Sequence, residues 1–295
     1  MHYSTGQEKR AGFVRNMENM RVKHLVSFLL FLCMTRLCSP SANPDANQKH
    51  FVLVHGAGHG AWCWYKVSTL LTSIGHNVTA LDLAASGVNP KQVQQLHSLS
   101  DYVEPLMRFM KSLPPKERVI LVGHSLGGAA LSIAMEKFPE KIYIAVFATA
   151  LMPGPALDYL NLISQILNST DWMDSQFRYD RGPNNPPTAA LIGPKLLSSS
   201  LYQLSPPEDL TLALSLVRFS PRFSDDIKLT KEKYGSVRRV FIGCGQDHII
   251  TVKSQMLMIN KNPPNEVKWI NGSDHMVMFS RPLELFSYLK EVAES

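Results

Sequence analysis

Cysteine is scarce in this chain, and its scarcity excludes whole classes of structure. Only four occur in 295 residues, and two of them, Cys33 and Cys38, lie near the N-terminus. Cys63 and Cys244 stand alone, without a C-x-x-C pair or alternating Cys/His spacing. That pattern argues against a disulfide framework or a metal site and reads both as small core residues. The phosphate-cradling glycine signatures GxGxxG and GxxxxGK[ST] are missing too, so no nucleotide or other cofactor is implied. There is no internal repeat and no low-complexity tract. No apolar run is long enough to cross a bilayer, so no stable membrane insertion is expected. Charged side chains make up 18% of the chain against 45% hydrophobic ones, the balance of a folded globular protein.

The formal charge of +6 is unevenly placed. Residues 1–49 hold Lys9, Arg10, Arg15, Arg21, Lys23, Arg36 and Lys49 against Glu8, Glu18 and Asp45, so most of the surplus sits there. The remainder is scattered and not interleaved with aromatics, so nucleic acid is not an expected partner. Within that leader, Leu25 to Met34 form an apolar run preceded by Arg21 and Lys23 and followed by Ser39-Pro40-Ser41-Ala42. A basic flank, a short apolar stretch and small residues after it read first as a secretory or endomembrane signal, better matched if translation starts at Met17 or Met20. Plastid or other organelle transit, and an untargeted extension of a cytoplasmic protein, are the alternatives. The leader is expected to stand apart from the fold, which begins at residue 50.

From there, short β-rich runs alternate with helical patterns, the signature of a parallel sheet built from βαβ units. Strands are expected at Phe51–Val54, Val78–Leu81, Val119–Val122, Ile142–Phe147, Val237–Ile242 and Val267–Ile270. Leu99, Tyr102, Val103, Leu106, Met110 and Leu113 recur at helical spacing and read as a core stripe. The rhythm breaks between about 152 and 220, where prolines punctuate short helical pieces without a clear strand. This stretch reads as a helical cap over the carboxyl edge of the sheet, where open α/β folds bind ligands.

The strongest local signal is Gly123-His124-Ser125-Leu126-Gly127-Gly128, set between the strand Val119–Val122 and the helical stretch Ala129–Phe138. A G-x-S-x-G turn at a strand-to-helix junction forces its serine into a strained conformation with the hydroxyl raised above the sheet. This is the nucleophile elbow of the α/β-hydrolase fold: a mostly parallel central sheet with helices on both faces and a helical cap insertion. The Gly-rich loop His55-Gly56-Ala57-Gly58-His59-Gly60 follows the first strand, so the backbone N–H groups of Ala57 and Leu126 are expected to converge as an oxyanion hole.

A serine hydroxyl needs a base, and the base needs a carboxylate to fix its tautomer. Of ten histidines, His275 follows the last expected strand in Asn271-Gly272-Ser273-Asp274-His275 and is the candidate base. His55, His59 and His124 flank the site without being placed to take the proton. Asp247, directly after the strand Val237–Ile242, is the candidate acid and keeps the chain order Ser, Asp, His. Asp274 is too close to its neighbour to orient the ring easily. Asp82, at another strand end, is left as a structural capping residue or an alternative acid.

These residues resemble the plant methylesterases within the hydroxynitrile lyase-like α/β-hydrolases, and the resemblance runs from residue 51 to about 293. It is carried by FVLVHGAGHGAW, VTALDLAASG, VILVGHSLGG, KIYIAVF, LYQLSPPEDL, KYGSVRRVFI and GSDHMVM. It implies Ser125, Asp247 and His275 as the triad, Ala57 and Leu126 as oxyanion donors, and no metal or other cofactor. It also implies substrate contacts at His124 and Trp172, and His59 in the Gly-rich loop is a further candidate contact. The implied activity is hydrolysis of small methyl esters such as those of salicylic, jasmonic or indole-3-acetic acid, the substrate being the expected partner. A pheophorbide-type methylesterase, a hydroxynitrile lyase and a non-catalytic small-molecule receptor remain alternatives. Cyanogenic relatives carry a threonine two residues after the first strand and a lysine directly after the base; here those positions are Gly56 and Met276. His248, beside the acid, stands where relatives often have lysine. A homodimer is left open.

Overall fold

The β-branched runs fold as strands of a parallel sheet whose central strands bury both faces, while its edge strands stay half-exposed. A computed structural model describes residues 48–295. The leader at 1–49, and with it the targeting expectation, lies outside the described residues apart from Gln48 and Lys49. The chain runs through β1 (His50–Val54), α1 (Tyr65–Ser73), β2 (Asn77–Leu81), α2 (Leu99–Ser112), β3 (Val119–Ser125), α3 (Gly127–Lys137) and β4 (Ile142–Ala150). An insertion follows with α4 (Tyr159–Ser169), β5 (Gln176–Arg178), β6 (Ala189–Leu191), α5 (Pro207–Leu216) and β7 (Ser220–Pro221). The chain then returns to β8 (Arg239–Cys244), α6 (Val252–Lys261), β9 (Glu266–Ile270) and α7 (Pro282–Glu294).

Strands pair in the order β2-β1-β3-β4-β8-β9, every pairing parallel. All six strands expected from the sequence are in this sheet. Their side chains alternate between two cores: Val52 and Val54 of β1 join one cluster, Phe51 and Leu53 the other. In β3, Val119 and Leu121 likewise face opposite to Ile120 and Val122. The expected stripe of α2 is buried as Leu99, Tyr102, Val103, Leu106 and Met110, behind a capping box between Ser98 and Asp101. Cys63 and Cys244 are free and buried, as small core residues should be.

The order also fixes where a ligand can sit. The chain leaves β1 to build β2 on one side, then crosses back to build β3 on the other, so the β1 and β3 ends form a topological switch point. Their register, Val54 opposite Gly123, brings the loop after β1 level with the turn after β3.

The insertion departs from the expected all-helical cap. Besides α4, α5 and a short helical stretch at 194–201, it contains an antiparallel sheet in the order β5-β6-β7. Strands of three, three and two residues are too short to display an alternating pattern, which is why the sequence hides them. Pro221 ends the edge strand β7, a position where the missing N–H removes no ladder bond.

The turn after β3 leaves no room for side chains. A Cβ on Gly128 would lie 2.0 Å from the Leu151 carbonyl oxygen, and one on Gly127 would lie 2.7 Å from those of Val54 and His55. Gly75, at φ +93°, has nothing within 4 Å of its notional Cβ. Gly128→Ala is therefore expected to cost about 3 kcal/mol through a backbone clash, and Gly75→Ala only about 1 kcal/mol of conformational strain. Urea midpoints of the two variants measure the difference.

Candidate active site

Ser125, the last residue of β3, adopts φ +52°, a left-handed conformation that is strained for a residue with a side chain. The glycines around it make that geometry attainable, and the chain turns at once into α3. The Ser125 hydroxyl lies 3.0 Å from Nε2 of His275. Nδ1 of His275 lies 2.7 Å from Oδ2 of Asp247. The three residues are far apart in sequence, and the carboxyl ends of β3, β8 and β9 bring them into one hydrogen-bonded line.

Asp247 is almost fully buried, and four donors hold its carboxylate. Oδ1 accepts the N–H groups of Ile249 and Ile250 at 2.7 and 2.9 Å. Oδ2 accepts from the imidazole and from the Thr149 hydroxyl. With Oδ2 facing it, His275 carries its proton on Nδ1, which leaves the Nε2 lone pair for the serine hydroxyl. Thr149 escaped the sequence reading, and its one signal is a lone polar residue at the apolar end of β4. It is itself at φ +38°.

Asp274 is excluded from orienting His275 by what it already binds. Its Oδ1 accepts the Met276 N–H at 3.0 Å. Its Oδ2 accepts the Leu204 N–H and the Ser205 hydroxyl, each at 2.9 Å. Nearby, the Gln203 amide donates to the carbonyl of Gln246 at 2.7 Å. The LYQLS stretch of the insertion is thus fastened to the residues beside both Asp247 and His275. Asp82 likewise binds backbone, accepting from Ala61 and Val88, and has no hydrogen bond to His275.

Three further histidines surround the site, and all are kept neutral. Burial is the first cause in each: it lowers His55, takes His59 down to about 4, and puts His124 well below the ordinary value, with the His275 charge adding to the effect on His124. Each holds backbone in place. Nδ1 of His55 donates to the Gly56 carbonyl and its Nε2 accepts the Leu83 N–H. Nδ1 of His59 donates to the Ala57 carbonyl, and its Nε2 accepts from the Tyr202 hydroxyl at 2.7 Å. Nε2 of His124 donates to the carbonyl of His275 at 2.8 Å, while its Nδ1 has no partner among the described residues.

Above Ser125 lies a cavity of about 300 Å³. Ser125, His275, Ala57 and Leu126 line it, as do His59, His124 and Trp172, so every residue named for the site from sequence except the buried Asp247 reaches its wall. Neither the Ala57 nor the Leu126 N–H is spent on a turn or loop hydrogen bond among the described residues. Leu126 stands at the N-cap of α3, where the helix dipole favours negative charge. The Trp172 indole donates to the Leu167 carbonyl, which turns its ring toward the cavity wall. His248 is exposed and is not on that wall. No three His, Cys, Asp or Glu side chains group as a metal site among the described residues, and no described helix is long and apolar enough to cross a membrane.

A strained serine at a strand-to-helix turn, in line with a histidine and a buried aspartate at the switch point of a parallel sheet, defines an α/β-hydrolase. Residues 51–287 match the alpha/beta hydrolase family. The chain is 54% identical to Methyl jasmonate esterase 1 of Vitis vinifera, over 85% of this chain and 99% of that protein. It is 48% identical to Salicylic acid-binding protein 2 of Nicotiana tabacum, over 83% and 97%. Among solved structures, tomato Methylketone Synthase I complexed with 2-tridecanone superimposes with a TM-score of 0.80 at 50% identity, covering 84% of this chain and 98% of that one. The chain belongs to the plant methylesterase family of α/β-hydrolases.

Two outcomes test this geometry. Asp247→Asn keeps an oxygen for the Ile249 and Ile250 N–H groups but turns an NH₂ toward Nδ1, which forces the other tautomer. Turnover of a chromogenic ester should fall about 10⁴-fold with the melting temperature little changed. For His59, the unfolded chain binds a proton below about pH 6.5, whereas the folded imidazole takes it only near 4. Stability is therefore fully present above that window and falls as pH drops through it, by on the order of 2 kcal/mol between pH 7 and 5 for this group. Urea unfolding should show the loss, and His59→Gln should reduce it.

Proposed function

We propose that this protein hydrolyses small carboxylic methyl esters through an acyl-enzyme, with Ser125 as nucleophile, His275 as general base and acid, and Asp247 orienting the imidazole. The observation that carries this reading is the unbroken line from carboxylate to imidazole to hydroxyl, 2.7 and 3.0 Å long, opening at its serine end into the cavity. The ester hydrolysis named for Methyl jasmonate esterase 1, to which the chain is similar over nearly its whole length, supports the reaction class.

In the proposed reaction Ser125 Oγ attacks the ester carbonyl while His275 Nε2 takes its proton. The carbonyl oxygen, now negative, is held by the Ala57 and Leu126 N–H groups; each such donor contributes on the order of 3 kcal/mol to the transition state. The C–O bond to methoxide breaks, and the imidazolium returns its proton so that methanol leaves. Water then repeats the sequence on the acyl-serine, releasing the carboxylic acid and restoring the hydroxyl.

The cavity size favours small acyl groups, such as those of methyl salicylate, methyl jasmonate or methyl indole-3-acetate. A tetrapyrrole such as pheophorbide would leave most of its ring outside about 300 Å³. The lyase alternative is disfavoured by Met276, which is fully buried directly after the base and offers no cation to a departing cyanide. Full-length protein incubated with the three hormone esters and pheophorbide should release methanol and free acid from at least one of the three. Ser125→Ala should lower that turnover by several orders of magnitude while still binding the ester. Tight salicylate binding with no hydrolysis anywhere in the panel would instead establish a receptor.

A further inference from the structure

The wall of the cavity carries charge of one sign. Arg181 and Arg222 line it, and no Asp or Glu does. His59 and His124 do not add to that charge, because burial keeps them neutral. Arg222 directly follows β7, and its backbone N–H donates to the Thr188 carbonyl at 2.9 Å, so its Cα is tied to the small sheet of the insertion.

The side chain is held by aromatic faces. Its guanidinium carbon lies 5.1 Å from the Trp172 ring centroid and 5.6 Å from that of Phe177. Those two rings meet edge to face with centroids 5.5 Å apart. Such faces attract a cation through the ring quadrupole but leave its N–H donors without acceptors.

Arg178 and Arg181 also lack a side-chain hydrogen-bond partner among the described residues, but both are exposed, where water can take up their donors. Several other arginines spend theirs on the protein. Arg218, four residues earlier, donates to the carbonyls of Gly87, Asn89 and Lys91. Arg108, Arg238 and Arg281 each face a glutamate. Arg222 has no carboxylate partner among the described residues, is half-buried, and is pulled below its ordinary pKa by that burial. A guanidinium fixed at an apolar wall with its donors unspent is arranged for an acceptor that the protein itself does not supply.

We propose that Arg222 is a specificity-determining residue that hydrogen-bonds an oxygen acceptor, a carboxylate or a ketone, on the acyl part of the substrate away from the ester. This rests on the methyl-ester reading for placing the ester at Ser125. A wholly apolar acyl group gains the aliphatic and aromatic contacts of the cavity but leaves the guanidinium unmatched. A site built to bond an oxygen discriminates against the analogue that lacks it more strongly than an apolar pocket discriminates between chain lengths.

Three synthetic esters of matched length test the proposal: methyl octanoate, methyl 7-oxooctanoate and monomethyl suberate. Calorimetric titration of the Ser125→Ala protein should show at least one oxygenated ester binding about tenfold or more tightly than methyl octanoate. Arg222→Met in that background should abolish the preference, bringing the three esters to within about twofold of one another, with Arg222→Gln as a second variant should the first fail to fold. A preference confined to monomethyl suberate identifies the acceptor as an anion; one shared by the ketone identifies it as any carbonyl oxygen. In the active enzyme the loss should appear in KM more than in kcat. Equal binding of all three esters, or a preference that survives both substitutions, overturns the proposal. Discrimination through Arg222 in an otherwise intact protein that hydrolyses neither these esters nor the three hormone methyl esters would defeat the esterase reading and leave this site standing.

Discussion

Everything about the site depends on how closely the backbone can approach itself where β3 turns into α3. Gly127 packs against the carbonyls of Val54 and His55, and Gly128 against that of Leu151, at distances that admit no Cβ. That contact seats the start of α3 on the end of β1 and on the chain leaving β4. With α3 so seated, Ser125 has nowhere to go but the left-handed region, and its hydroxyl is raised to meet the imidazole. The strain at one residue is sustained by the packing of three elements around it.

The electrostatics follow from the same crowding. Desolvation keeps His55, His59 and His124 uncharged, and each is used as a fixed hydrogen-bonding strut between backbone segments. Three neutral imidazoles around the site mean that, in the proposed reaction, His275 would not face a ring of like charge on taking up the serine proton. Asp247 lies behind it with both oxygens fully engaged, so its orientation is set before any ligand arrives.

The six strands, the elbow and the line of Ser125, His275 and Asp247 were legible in the sequence because each depends on local chemistry. Alternating burial, glycine where a Cβ would clash, and a polar turn after a strand all leave marks within a few residues. What stayed hidden depends on long-range placement. Thr149 binds a carboxylate 98 positions away. The sheet of the insertion is built from strands too short to show a period. Arg222 looks like any loop arginine until the fold sets it over Trp172 and Phe177. For His59 and His124, the sequence pointed to contact with a ligand. The structure places both on the cavity wall and shows, in addition, that their ring nitrogens already serve the loops.

Asp274, directly before the proposed base, accepts the Leu204 N–H and the Ser205 hydroxyl and so ties the insertion to the loop that carries that base. A cover riveted in this way is a poor trapdoor. Swinging it open as a rigid plate would break those bonds beside the imidazole. The roof and the proposed catalytic line are thus joined at one seam.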